Sequence, residues 1–185
     1  MDILKEQINS EYLLKYVALH RMMLLMYQHC HWATKGTSYY SDHLLYEKIY
    51  TKISEETDKV AEKAVGLSSE SSVCPIKTTD MSLKLLHSIL PNFNISEDPH
   101  RIVECLLEME VSFLDQNESL YSKLESENQL TLGMDDLISS IHSSHEENVY
   151  LLKQRYKVMD ITIKEHQFEK EELQDEKESE ENDED

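Results

Sequence analysis

Glycine and proline are scarce in this chain, which has only three of each among its 185 residues. Tight turns between β-strands depend on these two residue types, so their scarcity argues strongly against an all-β sandwich or barrel. The length is typical of a single domain. A hydrophobic fraction of 39% is enough to build one packed core. The chain is therefore predicted to be helical.

The acidic residues outnumber the basic ones by 37 to 18, which gives a formal net charge of −19. Because neutralising phosphates requires Lys and Arg, binding to nucleic acid is not expected. Residues 165–185 hold 12 acidic residues and 2 lysines, with Phe168 and Leu173 as their only large apolar side chains. Such a segment buries too little apolar surface to offset the entropy of ordering. The sequence predicts a domain over residues 1–164 and an acidic, disordered tail over residues 165–185.

The beginning of the chain has mixed charges and lacks the basic segment and apolar run of a signal peptide. No apolar run approaches the roughly 20 residues that cross a bilayer. Three scattered cysteines, Cys30, Cys74 and Cys105, argue against a disulfide framework because their number is odd. A cytoplasmic location without membrane association is therefore expected.

Apolar periodicity predicts four long helices. They span about residues 4–34, 39–65 and 98–126, and from Gly133 to about 164. Gly36 and Gly66 are predicted to end the first two helices. A short helix near residues 80–89, with Thr79 as its cap, is predicted within the long connection between the second and third helices. Four helices with one crossover connection are typical of a ferritin-like bundle, so the predicted fold class is all-α and ferritin-like.

The second predicted helix carries a polar stripe along one face. At 100° per residue, four side chains fall within about 100° of arc: His43, Glu47, Asp58 and Glu62. His31, at the end of the first helix, reaches the His43 end across the short turn. Histidine combined with carboxylates is the ligand mixture that suits Fe, Mn or Zn. These five residues are the candidate metal ligands, although each one alone is also an ordinary residue of a solvated helix face.

The length of the second helix prevents this set from binding one ion within a single chain. His43 and Asp58 are 15 positions apart, which is about 22 Å at 1.5 Å per residue. Two copies of the helix, packed antiparallel about a two-fold axis near Lys52 and Ile53, would place the histidine end of one against the Asp58 end of the other. Such a contact repeats the site twice in each dimer.

Residues 31–63 resemble the Dps family of miniferritins, the DNA-protection-during-starvation proteins. The family's motif joins a His-Trp pair, a glycine, a second histidine, an acid four residues later and an Asp-x-x-x-Glu. It is present here as His31-Trp32, Gly36, His43, Glu47, Asp58 and Glu62. The similarity continues through residues 136–153. The family more often has aspartate where Glu47 stands, and its DNA-binding members carry a Lys/Arg-rich terminal arm that this sequence lacks.

The resemblance implies an enzyme, a ferroxidase that oxidises Fe²⁺ between two-fold-related subunits. The ligands and catalytic residues would be His31, His43, Glu47, Asp58 and Glu62. They would hold two iron ions, or one ion and a weaker second. The resemblance further implies hydrogen peroxide as the preferred oxidant, with dioxygen as the alternative, a homo-oligomer that is expected to have twelve subunits, and ferric iron stored in its hollow interior as protection against oxidative stress.

Other interpretations compete with this one. The chain is also consistent with a non-enzymatic, acidic, helical interaction protein, or with a Dps that coats DNA. Trp32 belongs either beside the metal site or in the apolar packing of a dimer interface. His142 and His145 suggest an iron site inside the bundle, but ferritins proper use Glu-x-x-His there. The only such spacing here, Glu97–His100, is interrupted by a proline, which argues against an internal site.

Overall fold

Helices form all the regular secondary structure of the described residues. The computed structural model describes residues 8–91 and 98–182, with side chains as far as Lys157. Its α-helices are α1 (Ser10–Ala33), α2 (Tyr39–Leu67), α3 (Pro75–Ile89), α4 (Pro99–Ser126) and α5 (Leu132–Asn182). A single 3₁₀ turn, Glu70–Val73, precedes α3. The prediction of an all-α chain is confirmed.

The four long helices form a bundle in which α1 packs against α2 and α4, and α5 packs against α4 and α2. Helix α3 lies in the connection between α2 and α4 and packs against α1. All four long helices contribute completely buried side chains to the core, among them Met23, Ile53, Leu106, Phe113 and Leu152. This is the predicted ferritin-like bundle with an extra helix in its crossover. Within the described residues, no helix is both long enough and apolar enough to cross a membrane.

The beginnings of two helices follow directly from local chemistry. The side chain of Asn9 accepts a hydrogen bond from the N–H of Glu11 at 2.9 Å, which caps α1. Asp98 accepts from the N–H of His100 at 3.0 Å, and Pro99 occupies the first helical position of α4. Both arrangements satisfy backbone donors that have no partner inside the helix. The start of α4 agrees with the sequence prediction.

Four predicted helix boundaries are wrong. Helix α1 begins at Ser10 rather than near residue 4, because Asn9 caps it. Gly66 does not end α2, which continues to Leu67. Helix α3 begins at Pro75 rather than near residue 80, since proline is well tolerated at a first helical position, and Thr79 lies inside the helix. Helix α5 continues past the predicted end at 164, as far as Asn182. No side chain of residues 165–185 is described, so the boundary between domain and tail stays a prediction.

The turn between α1 and α2 requires a glycine, because Gly36 has a φ of +85°. Gly36→Ala is expected to lower the free energy of unfolding by about 1 kcal/mol, since a Cβ is strained in this conformation. Gly66 is the matched control: it lies within α2, and an added Cβ would meet no atom within 4 Å. Gly66→Ala should stabilise the protein by up to about 1 kcal/mol. Urea denaturation followed by circular dichroism measures both, and destabilisation by both changes would contradict this assignment.

Candidate metal centre

His31 and His43 form a reciprocal pair at the end of the bundle where α1 meets α2. The Nδ1 atom of each ring lies 3.0 Å from the backbone carbonyl oxygen of the other residue. Because a carbonyl only accepts hydrogen bonds, both Nδ1 atoms carry a proton. In the neutral rings both Nε2 atoms therefore keep the lone pair that binds a metal ion. The rings stack with their centroids 3.7 Å apart.

The turn between α1 and α2 brings His31 and His43 together, and a buried ion pair beside His43 holds them there. Asp42, which precedes His43, is completely buried, and its carboxylate accepts from Nε and Nη2 of Arg155 at 2.5 and 3.0 Å. This contact fixes the first turn of α2 to α5, and the hydrogen bond to Asp42 raises the pKa of Arg155. The His43 backbone is thereby held where its carbonyl oxygen meets His31.

The three candidate carboxylates, those of Glu47, Asp58 and Glu62, are all exposed on α2. Asp58 lines an open groove of about 620 Å³ beside Val17 and Arg21 of α1, at the opposite end of the helix pair from the histidines. The structure therefore does not bring the histidine end and the Asp58 end together. Among the described residues, no group of three or more His, Cys, Asp or Glu side chains is arranged as a metal site.

The middle of α2, where the sequence predicted a two-fold axis near Lys52 and Ile53, does not expose these two side chains freely. Ile53 is completely buried in the core. Lys52 donates to Glu147 of α5 at 3.0 Å. The exposed face at this height is instead formed by Thr51 and Ser54. A two-fold axis passing midway between the two ends of the stripe would therefore meet small polar side chains.

Large apolar side chains are exposed around the histidine pair. Four of them belong to the last part of α1 and the first part of α2: Leu25 (60% exposed), Trp32 (72%), Tyr40 (73%) and Leu44 (43%). Tyr39 stacks on His43 with a centroid distance of 5.1 Å. Exposed apolar side chains grouped in this way are typical of a protein–protein contact surface. The Trp32 ring is exposed rather than packed into the core of its own chain.

Solved structures with a similar arrangement of helices are all Dps proteins among those compared below. Dps from Thermosynechococcus elongatus is similar with a TM-score of 0.68 and 18% identity, over 78% of this chain and 87% of that one. DpsC from Streptomyces coelicolor gives 0.68 and 20%, over 79% and 81%. The chain has the Dps fold. A Vibrio cholerae O1 Dps, described as a member of a broad superfamily of ferritin-like diiron-carboxylate proteins, gives 0.66 and 20%, over 78% and 86%. No family model matches the sequence, and no curated protein matches it either.

Inside this Dps fold lies a polar cluster of which the sequence analysis considered only His145, as part of an internal iron site that it argued against. His145 of α5 is completely buried between two carboxylates, with its Nδ1 atom 2.5 Å from Glu110 of α4 and its Nε2 atom 3.3 Å from Glu56 of α2. Tyr27 of α1 donates to Glu110 at 2.5 Å. All four long helices of the Dps fold therefore contribute a polar side chain to the interior.

The electrostatics of this cluster follow from burial and the two carboxylates. Burial opposes the charge of His145, but the charges and hydrogen bonds of Glu110 and Glu56 outweigh it and raise the pKa of His145 to about 9. Burial lowers the pKa of nearby His20 to about 4, so that ring is neutral at pH 7. Burial alone would raise the pKa of Glu56. The hydrogen bond from His145 and the charge of that ring outweigh burial and lower the pKa of Glu56.

Cys30 precedes His31 in the Dps fold but is not a reactive thiol. Its side chain is buried, with 4% of its surface exposed. Burial raises the pKa of the Cys30 thiol to about 12, so it stays protonated at neutral pH. The thiol acts as a small apolar group in the packing between helices.

Proposed function

We propose that this protein is a Dps-type miniferritin, a ferroxidase that oxidises Fe²⁺ between subunits and stores ferric iron in a hollow cage. The observation that carries the proposal is the arrangement along α2, which has the oriented pair of His31 (buried, from α1) and His43 at one end and the exposed carboxylates of Asp58 and Glu62 toward the other. The similarity to solved Dps structures supports the fold in which such an arrangement occurs. The motif that resembles the Dps family includes the same residues.

A second copy of this chain is the partner that completes the site. Two antiparallel α2 helices bring His31 and His43 of one subunit to Asp58 and Glu62 of the other, and an isologous contact builds two sites at once. The apolar side chains around the histidine pair, Trp32 and Tyr40 among them, supply the contact surface. A cage of twelve subunits extends this dimer.

Fe²⁺ is the substrate of this site. His31 and His43 bind the reduced ion through Nε2, while Asp58 and Glu62 bind it across the interface and compensate the charge of Fe³⁺ as it forms. Glu47, one turn after His43, supports a weaker second ion. Two Fe²⁺ ions each give one electron to hydrogen peroxide, which takes up two protons and leaves as two water molecules.

Two further features fit this function. The net charge of −19 creates a field that draws cations toward the protein and argues against a DNA-coating role. Consuming Fe²⁺ and peroxide together removes both reactants of hydroxyl-radical formation. Such chemistry protects a cytoplasm against oxidative stress, which is the setting that we propose for this protein.

His31→Ala and Asp58→Ala are expected to slow peroxide-driven oxidation of Fe²⁺ by more than about tenfold, since each removes a direct ligand. Stopped-flow absorbance of Fe³⁺ measures the rate, and native mass spectrometry measures assembly. His29→Ala and Lys59→Ala are matched controls, because these neighbours lie on the same helices but are turned about 200° and about 100° around the helix axis from His31 and Asp58. Rates in the two ligand variants that equal those of the controls, in intact oligomers, would refute the proposal.

A further inference from the structure

Helices α2 and α5 face each other along a line of polar contacts, which we call the α2–α5 seam. Ser144 of α5 donates to Glu56 of α2 at 2.5 Å, and Nε2 of His145 lies 3.3 Å from the other carboxylate oxygen of Glu56. Toward solvent, Lys52 donates to Glu147 at 3.0 Å. A groove of about 310 Å³ follows the seam, and Glu56 and Ser144 form part of its lining. Glu56 and His145 are therefore the buried part of the connection between α2 and α5.

The hydrogen bonds around His145 require a proton on each nitrogen of its ring. Glu110 accepts from Tyr27 at 2.5 Å and from Asn148 at 3.2 Å. Nδ1 of His145 lies 2.5 Å from the second carboxylate oxygen of Glu110, and Nε2 faces Glu56. An ionised carboxylate only accepts hydrogen bonds, so both ring nitrogens act as donors. The ring is an imidazolium with one positive charge between two negative ones.

Among the described residues, no lysine or arginine is buried, so this imidazolium is the cation of the core. Phe113 stacks on the ring with the centroids 3.6 Å apart, which keeps water from that face. The titratable groups around the ring come from three other helices: His20 and Tyr27 of α1, Glu56 of α2 and Glu110 of α4. Burial keeps His20 neutral by lowering its pKa to about 4, and burial raises the pKa of Tyr27. Loss of the His145 proton would therefore leave two buried carboxylates without a cation, which is strongly unfavourable.

We propose that the proton on His145 holds the α2–α5 seam closed, and that loss of this proton in mildly alkaline solution opens the seam along its groove. A neutral ring has one nitrogen lone pair directed at a carboxylate oxygen, so one attractive contact becomes repulsive. Glu110 is retained in the core by Tyr27 and Asn148. Glu56 lines the groove, so its carboxylate is the one that turns toward water.

The opening is local because other contacts of the seam do not depend on His145. Asp42 and Arg155 join α2 to α5 near the start of α2, and Lys52 holds Glu147 on the solvent side. Neither contact contains a group that titrates between neutral pH and pH 9. Helix α5 therefore separates from α2 around Glu56 while it stays joined to α2 near Arg155.

The direction of the pH dependence follows from the folded and unfolded states of His145. Burial opposes its charge, but Glu110 and Glu56 outweigh burial and raise the pKa from 6.5 to about 9. A group whose pKa is raised by folding stabilises the protein fully below its unfolded pKa, and this stabilisation is lost as the pH rises through the folded pKa. The loss therefore extends from pH 6.5 to about pH 9. His20 titrates below this window, and Cys30, with a pKa of about 12, affects stability above it.

Thermal unfolding of the metal-free full chain between pH 6.5 and pH 9 tests the proposal, followed by circular dichroism at fixed subunit concentration. The melting temperature of the wild type should fall progressively across this window. His145→Gln should melt at a lower temperature at pH 6.5, with little further change up to pH 9. The matched control is His142→Gln, which removes a less buried histidine from the same helix and should keep the wild-type pH dependence. Equal pH dependence in the wild type and in folded His145→Gln would overturn the proposal.

Hydrogen–deuterium exchange locates the opening. After correction for the intrinsic rate, amides of α2 around Glu56 and of α5 around His145 should exchange more than about tenfold faster at pH 9 than at pH 7, and those around Arg155 should not. Glu110→Gln preserves the side-chain shape, and the fall in its melting temperature should be smaller and end at a lower pH. This variant keeps the test decisive if His145→Gln does not fold. Equal acceleration in all four long helices, or a wild-type pH dependence in Glu110→Gln, would show that the His145 proton does not control the seam.

Discussion

Co-assembling subunits that carry His31→Ala with subunits that carry Asp58→Ala is expected to restore Fe²⁺ oxidation that neither variant performs alone. Each proposed site takes its histidines from one subunit and Asp58 from the other. A mixed dimer therefore has one intact site and one site with both lesions. With equal amounts of the two chains, about half of the dimers are mixed, so about a quarter of the wild-type rate should return.

The matched control combines Asp58→Ala with Glu62→Ala. Both lesions lie at the same end of α2, so each site of every mixed dimer contains one of them and no intact site forms. Co-expression with two different affinity tags isolates the mixed oligomers, and stopped-flow absorbance measures oxidation. Complementation in the control pair, or its absence in the test pair, would show that the ligands do not come from two subunits.

Arg155→Met is expected to lower the free energy of unfolding by about 3 kcal/mol. The side chain of Asp42 is 0% exposed and that of Arg155 is 15% exposed. Removing the guanidinium leaves the Asp42 carboxylate buried without its cation. The free-energy cost of this unpaired buried charge is larger than the net stabilisation that the ion pair provides. Because Asp42 holds the first turn of α2, the same change should also weaken the His31–His43 pair and slow oxidation of Fe²⁺.

A double-mutant cycle separates the ion pair from simple loss of packing. Asp42→Asn combined with Arg155→Met should be less destabilising than the sum of the two single changes, because the double variant buries no charge at this position. Lys153→Met is the control, as an exposed lysine of the same helix whose loss should change stability by less than about 0.5 kcal/mol. Urea denaturation at fixed subunit concentration measures all four variants. Additive losses would contradict the proposed coupling.

The sequence predicted the bundle well because its evidence is local. Helical spacing of apolar residues and the capping side chain of Asp98 depend only on neighbours within one or two turns. The start of α3 was missed although Pro75 at its first helical position is a local signal. A tertiary contact also holds this first part of the helix. Thr78 is buried and accepts a hydrogen bond from Arg21 of α1 at 2.7 Å. No pattern within α3 itself indicates that contact.

The candidate site likewise has features that local sequence predicts and features that depend on distant contacts. Helix periodicity placed Glu47, Asp58 and Glu62 on one exposed face, and the structure agrees. Their meeting with the histidines depends on a second subunit, so it stays a prediction. Of the internal cluster, the sequence analysis considered His145 but not Glu56, although Glu56 falls within the apolar arc of α2 that contains Ile49, at about 20° from Leu45. A charged residue inside an apolar arc indicates a polar group held in the core.

In the proposed centre, α2 joins two half-sites, the His43 end and the Asp58 end, without a loop or hinge, so the residue count of the helix fixes both their separation and their relative direction. Inserting one residue between Glu47 and Asp58 would lengthen the helix by about 1.5 Å but rotate one half-site by about 100° relative to the other. Substitutions on the exposed middle of α2 leave this relationship intact. Single-residue insertions and deletions destroy it in every subunit at once. Among descendants of this chain, the segment can therefore vary in composition while its length stays constant.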